Sequence, residues 1–215
     1  YASSSSVYGV KELSEVTETE PLEPLTDYSK YKADCERILL NKIKNQFVKT
    51  ILRPATVCGY SPRQRLDVVV NILTNLGYNK NEITIFGGKQ KRPNIHIQDM
   101  CDVYKLILNS PAEKIDNEIF NVGYENYTVE ELANTVRKIV GDHVKLVYKE
   151  TDDNRSYHVS SQKIKNVLNF SPKFSISEAV DSIIKNIKNG NLKNTLNNPM
   201  YFNIRRMQEI NLKWF

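Results

Sequence analysis

The sequence is short of cysteine. Its 215 residues hold three, Cys35, Cys58 and Cys101, an odd number set far apart. None has the spacing of a metal-binding pair and no cystine framework follows, so a reducing, cytoplasmic setting without a bound metal is expected. Long apolar runs are missing too. A membrane-spanning helix needs about 18 or more consecutive apolar residues, and no such run occurs. The N-terminus also lacks the basic stretch and apolar core of a signal peptide, so no membrane partner is expected. Lys and Arg outnumber Asp and Glu by 30 to 25, but they are spread along the chain rather than clustered among aromatics. Nucleic acid is therefore not an expected partner. A mild positive balance suits a diphosphate-bearing small molecule. No segment repeats, which excludes solenoids and propellers. Hydrophobic residues at 40% and charged residues at 26% give an ordinary globular balance rather than a disordered one.

What is present is an alternation of strand-like and helix-like segments. Tyr1 to Gly9 reads as the end of a buried strand running into a loop. Val16 to Leu25, acidic and broken by Pro21 and Pro24, reads as a surface loop. Thr26 or Asp27 is placed to cap a helix from Tyr28 to Lys44, with Ala33, Ile38, Leu39 and Ile43 as its apolar stripe. Val48 to Arg53 is β-rich and stops at Pro54. A loop from Gly59 to Arg65 precedes a helix over Leu66 to Leu76. Ile83 to Phe86 is a strand ended by Gly87-Gly88, and Asn94 to Ile97 a second extended piece. Asp99 is expected to cap a helix through Leu108. Glu118 to Val122 is a strand, and Thr128 to Glu131 has the form of a capping box opening a helix to Val140. A strand over Val144 to Tyr148 and helices over Ser161 to Leu168 and Ser177 to Lys188 complete the pattern. Strands separated by helices argue for an α/β fold with parallel strands. Only two or three strands look central, where a doubly wound sheet has about five or six.

The candidate chemistry lies near the start. Tyr28 and Lys32 are four residues apart on a helix, so both project from one face. An ammonium beside a phenol favours its ionised form, which suits a general base toward a substrate hydroxyl. About 20 residues upstream, Ser3-Ser4-Ser5-Ser6-Val7-Tyr8-Gly9 sits at a strand's carboxyl edge, where open α/β sheets bind their ligands. A hydroxyl there can hydrogen-bond a reacting oxygen.

These strings, followed by Leu52-Arg53-Pro54-Ala55-Thr56-Val57-Cys58-Gly59, resemble the extended short-chain dehydrogenase/reductase family of sugar-nucleotide epimerases and dehydratases. The likeness continues through Gly87 to Asp99, Phe120-Asn121-Val122-Gly123, and Arg155-Ser156-Tyr157 with Lys163 after it. It implies a fold that is the C-terminal portion of a Rossmann-type parallel sheet domain with a smaller interleaved α/β substrate domain. Residues 1–62 would then be the remainder of the NAD-binding domain, rejoined by the strand near 118–122, and 63–215 mostly the substrate domain. The glycine-rich dinucleotide fingerprint and the acidic ribose-binding residue do not occur in this sequence, and an N-terminal truncation is expected.

The resemblance implies roles residue by residue. Tyr28 matches the catalytic base and Lys32 its partner, both also contacting the cofactor. Ser4 matches the catalytic Ser or Thr that also touches substrate, and Pro54 the point where the backbone passes the nicotinamide. Thr56, Arg92 and Arg155 fall at substrate positions, Arg92 as the grip on the diphosphate through bidentate contacts. His96 matches a structural residue, not a ligand. Three positions depart from the family. Ser5 and Ser6 stand where the 4,6-dehydratases carry Asp-Glu, which disfavours elimination of water. Thr56 stands where Asn is common. The expected activity is an NAD-dependent sugar-nucleotide epimerase, at C4, acting through a transient 4-keto sugar, with a homodimer as the expected assembly. A dehydratase, an NADPH-dependent 4-keto reductase, a non-catalytic binding protein and an inactive truncated fragment remain as alternatives. NADP is not excluded, since the residues that read the 2′-position are not in the sequence.

Overall fold

A computed structural model describes residues 1–11, 15–41, 47–151 and 158–211. In chain order the elements are α1 (Asp27–Asn41), β1 (Thr50–Pro54), β2 (Thr56–Cys58), α2 (Val69–Lys80), β3 (Glu82–Phe86), β4 (Lys91–His96), α3 (Ile97–Asn109), α4 (Ala112–Ile115), β5 (Glu118–Val122), β6 (Glu125–Thr128), α5 (Val129–Val140), β7 (Lys145–Lys149), α6 (Gln162–Leu168), α7 (Ile176–Lys188) and α8 (Asn203–Glu209). The chain divides into two units. The first comprises Tyr1–Val57, Gln90–Thr128 and Asp152–Phe174, and the second Cys58–Lys89, Val129–Thr151 and Ser175–Phe215.

The first unit is built on parallel pairing. β1 pairs with β5 from Thr50↔Glu118 to Pro54↔Val122. On the other side of β1, Ala2 bridges Leu52 in parallel, through Ser3 N–H to Leu52 O (2.7 Å) and Leu52 N–H to Tyr1 O (2.9 Å). Pro54 ends its strand, where the missing N–H does least harm to the ladder. Alternation along β1 and β5 then sorts the side chains. Leu52, Phe120 and Val122 enter a core with Ala55, Ile95, Met100, Val103, Ile115 and Ile164, whereas Arg53 and Asn121 are also buried. A second apolar cluster gathers Val7, Tyr8, Val16, Ala33 and Val159. A separate three-stranded sheet has the order β2-β4-β6, with β4 and β6 antiparallel from Lys91↔Thr128 to Asn94↔Glu125.

The second unit pairs β3 and β7 in parallel beside α2, α5 and α7, which pack on one another. Their buried residues include Val70, Leu73, Ile83, Ile85, Leu132, Val136, Val180 and Ile183. A capping box at Ser175 and Glu178 opens α7.

The fold is thus α/β with parallel strand pairs, as the alternation implied. Four local expectations are corrected. Of the stripe expected on α1, Ala33 holds, but Ile38 and Leu39 do not. The helix buries Ser29, Ala33 and Glu36, Ile38 is exposed, Leu39 is half-buried, and Ile43 lies outside the described residues. Small side chains and one carboxylate face the strand because Arg53 lies there. Asp99 does not cap α3. His96 does, its Nδ1 accepting from Gln98 N–H, while the buried Asp99 carboxylate accepts from Lys173 N–H (2.9 Å) and Phe174 N–H (3.0 Å). Val16, expected on a surface loop, is buried and bridges Val159. The loop after Ser4 is a 3₁₀ turn, Ser5–Tyr8.

Candidate active site

Three chain segments reach one strand edge in the first unit. The Tyr1–Ser3 stretch, β1 and β5 run in parallel and end at Ser3, Pro54 and Val122. Ser4 follows at once, in extended conformation, and caps the 3₁₀ turn. Its Oγ accepts from Ser6 N–H (3.2 Å) and lies 2.9 Å from Ser6 Oγ. When the Ser6 hydroxyl is the donor, the Ser4 proton stays available to a third oxygen.

The start of α1 fixes Tyr28 and Lys32. Thr26 caps the helix, its Oγ1 accepting from Ser29 N–H (3.3 Å), while Thr26 N–H donates back to Ser29 Oγ (3.0 Å). This is a capping box closed by serine rather than Glu or Gln. It opens the helix on which Tyr28 and Lys32, four residues apart, share one face. Lys32 Nζ is 5.6 Å from the Tyr28 ring centroid and 5.2 Å from that of Tyr1, and donates to Ala2 O at 2.7 Å. The pair therefore sits against the backbone two residues before Ser4. Tyr28 is 57% exposed, so its hydroxyl is open to a ligand. Pro54 is half-buried at the end of β1.

The sequence reading gave no role to the polar network under this edge. Arg53, 3% exposed, donates through Nε to both oxygens of Glu36 (3.1 and 3.2 Å) and through Nη2 to Glu36 Oε2 (2.7 Å). Its Nη1 donates to Tyr8 Oη (2.7 Å). Tyr8 in turn donates to Asn121 Oδ1 (2.7 Å), and Asn121 N–H reaches Glu18 Oε1 (2.7 Å). Burial pushes the Tyr8 phenol up to about 12, against the opposing pull of Arg53 and its hydrogen bonds, so Tyr8 is neutral and can donate. Burial alone would lower the Arg53 guanidinium, but the bonds to Glu36 and the neighbouring Tyr8 raise it. The signal was a lone arginine inside a β-strand, which needs a buried anion; nothing in the sequence marked Glu36 as that anion.

The candidate substrate residues lie on the other sheet of this unit. Thr56 is half-buried on β2, and Arg92 is half-buried on the neighbouring strand β4. Arg92 stands opposite Tyr127, with Nη1 donating to Lys91 O at 3.2 Å. Below it, the fully buried Asn94 donates to Arg92 O (2.6 Å), and its Oδ1 has no hydrogen-bond partner among the described residues. Arg155 lies outside the described residues. His96 is structural, capping α3 and stacking on Phe174 at 4.9 Å between ring centroids. The arrangement can remove and return a proton at an exposed phenol, polarise a nearby oxygen through a serine hydroxyl, and offer a half-buried guanidinium to an anion.

Comparison with known proteins gives a consistent picture. The family model described as NAD dependent epimerase/dehydratase matches residues 1–123. UDP-glucose 4-epimerase of Lactobacillus helveticus is 26% identical over 205 residues, spanning 86% of this chain and 61% of that protein. UDP-arabinose 4-epimerase 1 of Arabidopsis thaliana is 25% identical, spanning 80% of this chain and 46% of that protein. Among solved structures, UDP-glucose 4-epimerase of Thermotoga maritima, determined with UDP-glucose, has a TM-score of 0.78 at 27% identity, covering 89% of this chain and 63% of that one. UDP-glucuronic acid 4-epimerase of Bacillus cereus, in complex with UDP-glucuronic acid and NAD, has a TM-score of 0.77 at 27% identity, covering 87% and 60%. The chain thus spans less than two thirds of these relatives.

Proposed function

This chain belongs to the NAD dependent epimerase/dehydratase family, and from that premise we propose that the whole protein is an NAD-dependent sugar-nucleotide 4-epimerase. The observation that carries the reading is the meeting of Tyr28, Lys32 and the backbone before Ser4 at one parallel strand edge. The residues present fit a nicotinamide ribose. The Lys32 ammonium has three N–H donors and lies beside an exposed phenol. Ser3 Oγ, buried at the same edge, has no hydrogen-bond partner among the described residues. Tyr28, Lys32 and Pro54 would hold this end of the cofactor, and NAD, when bound, supplies a hydride acceptor that returns the hydride.

The chain's own groups supply the acid–base work. Tyr28 Oη takes the proton of the sugar 4-hydroxyl and gives it back after the sugar has turned. The Lys32 ammonium stands beside the Tyr28 phenol, 5.6 Å from its ring centroid. The Ser4 hydroxyl donates to the reacting oxygen, with Ser6 holding it in place. Arg92, as a planar fork, takes the substrate diphosphate, and Thr56 orients the sugar beside it. Ser5 is buried and Ser6 faces Ser4. Neither is a carboxylate, which weighs against the dehydratase reading.

The test is an assay of the whole protein with UDP-, dTDP-, GDP- and CDP-sugars, followed by proton NMR at C4. Inversion at C4 without net consumption of cofactor is the expected result. A 4-keto product that has lost water would make it a dehydratase, and stoichiometric oxidation of NADPH a reductase. No turnover of any sugar nucleotide would refute the reading.

A further inference from the structure

We propose that Arg53 and Tyr8 are positioning residues for Ser4, Tyr28 and Lys32, an inference that rests on the function just given. The guanidinium joins the segments that bear the reacting groups. Through Glu36 it holds α1 one turn beyond Lys32 and two beyond Tyr28, on the face turned inward. Through Tyr8 it holds the last residue of the 3₁₀ turn whose cap is Ser4. Arg53 itself is the residue before Pro54 on β1, and Tyr8 passes the link on to Asn121 in β5. A further bond from Nη1 reaches Glu18 O at 3.3 Å. The Arg53 guanidinium also lies 5.0 Å from the Tyr8 ring centroid, so the ring as well as its hydroxyl is fixed against the fork.

Stability alone is a poor reason for such a pair. Taking both charges out of water costs much of what their attraction returns, and well-packed apolar replacements are often as stable. What a guanidinium fork provides that apolar packing does not is direction, since its donors lie in one plane at fixed angles. Here those directions set how far α1 and the 3₁₀ turn stand from β1. The three reacting groups sit on those segments, each within one or two turns of a network member. A displacement of about 1 Å at a reacting group costs about 100-fold in rate, so small shifts in the network register in turnover before they register in folding.

The experiment compares Tyr8→Phe, which deletes one hydroxyl, and Arg53→Lys, which keeps the charge and loses the fork, with Asp99→Asn as a control. Asp99 holds the Lys173–Phe174 backbone through its two N–H groups and, among the described residues, has no bond to a network residue. For each whole protein, kcat and KM for the sugar nucleotide are measured well below the melting temperature of the least stable variant. Tyr8→Phe and Arg53→Lys should lower kcat by about 10- to 100-fold with KM within about 3-fold. Asp99→Asn should melt lower and keep its kcat. The inference is overturned if both network variants turn over at the wild-type rate per folded molecule, if their loss is no greater than that of Asp99→Asn, or if neither folds, which would make the network structural. A wild-type protein without turnover would instead refute the proposed function and remove the ground for this inference. An active wild type with unaffected variants refutes the positioning role alone.

Discussion

Lys32 donates to the carbonyl oxygen of Ala2 at 2.7 Å, and that bond joins the helix bearing Tyr28 to the strand end that leads into Ser4. The lysine is thereby held in place without closing off the phenol, which is 57% exposed. Catalysis and stability should therefore separate at Tyr28.

Tyr28→Phe should lower turnover of the whole protein by about 100-fold or more, since one positioned acid–base group contributes about that much. Substitutions at exposed positions usually change stability by no more than about 0.5 kcal/mol, so the melting temperature should stay close to the wild-type value. Steady-state kinetics and a thermal melt on the same preparation check both halves. Near wild-type turnover at neutral pH would remove Tyr28 from the mechanism.

Arg92→Ala should weaken sugar-nucleotide binding by about 10- to 100-fold, the loss of a charge-assisted contact to phosphate, and leave NAD affinity within about 2-fold. The basis is its place on β4, in the sheet that carries Thr56, rather than in the parallel set that ends at Pro54. Separate calorimetric titrations with substrate and with NAD decide. Equal loss for both ligands would contradict the assignment.

Gly9→Ala should destabilise the protein strongly. Gly9 has φ of +73°, and a Cβ there would fall inside contact distance of the Glu23 carbonyl oxygen, a backbone atom that cannot rotate away. A strained φ of this kind costs about 1–3 kcal/mol on its own, and the clash adds to it. Urea denaturation of the variant should show a fall of at least that size. An unchanged midpoint would show that the loop at Glu23 moves freely.

Period and punctuation made most of the elements legible in the sequence. β1, β3, β5 and β7 are short β-rich runs bounded by Pro, Gly or polar residues, whereas the capping box that opens α7 at Ser175 and Glu178 begins before the helix start expected at Ser177. The Tyr28–Lys32 pair was legible because a four-residue spacing on a helix fixes a shared face. Contacts distant in sequence were not legible. Asp99 looks like a helix cap beside α3, yet its carboxylate serves backbone N–H groups 74 and 75 residues away. Glu36 looks like one more charge on a solvated helix, and becomes an inner residue only because Arg53, 17 positions later, is on the strand facing it. Apolar Ile38 looks like a stripe residue by its chemistry, but α1 packs through Ser29, Ala33 and Glu36 and leaves it exposed.

The buried phenol of Tyr8 should leave a mark on stability at high pH. In the folded protein its pKa is about 12, against 10.0 for an unperturbed tyrosine, chiefly because burial disfavours the phenolate. The folded state thus binds the Tyr8 proton more tightly than the unfolded state does. Its contribution is complete below about pH 10 and is lost as pH rises from there toward about 12. A gap of two pK units corresponds to about 3 kcal/mol. Tyr8→Phe has no such proton to lose. It should be the less stable protein at pH 8, because Arg53 and Asn121 each lose a buried partner. Other groups titrate alike in both proteins and cancel in the comparison. The stability gap should therefore narrow between about pH 10 and pH 12, and urea denaturation of the two proteins at pH 8, 10 and 11 measures it. A gap that stays constant across that range would mean that Tyr8 ionises as readily in the folded chain as in the unfolded one, and that its hydroxyl is not buried against Arg53 and Asn121.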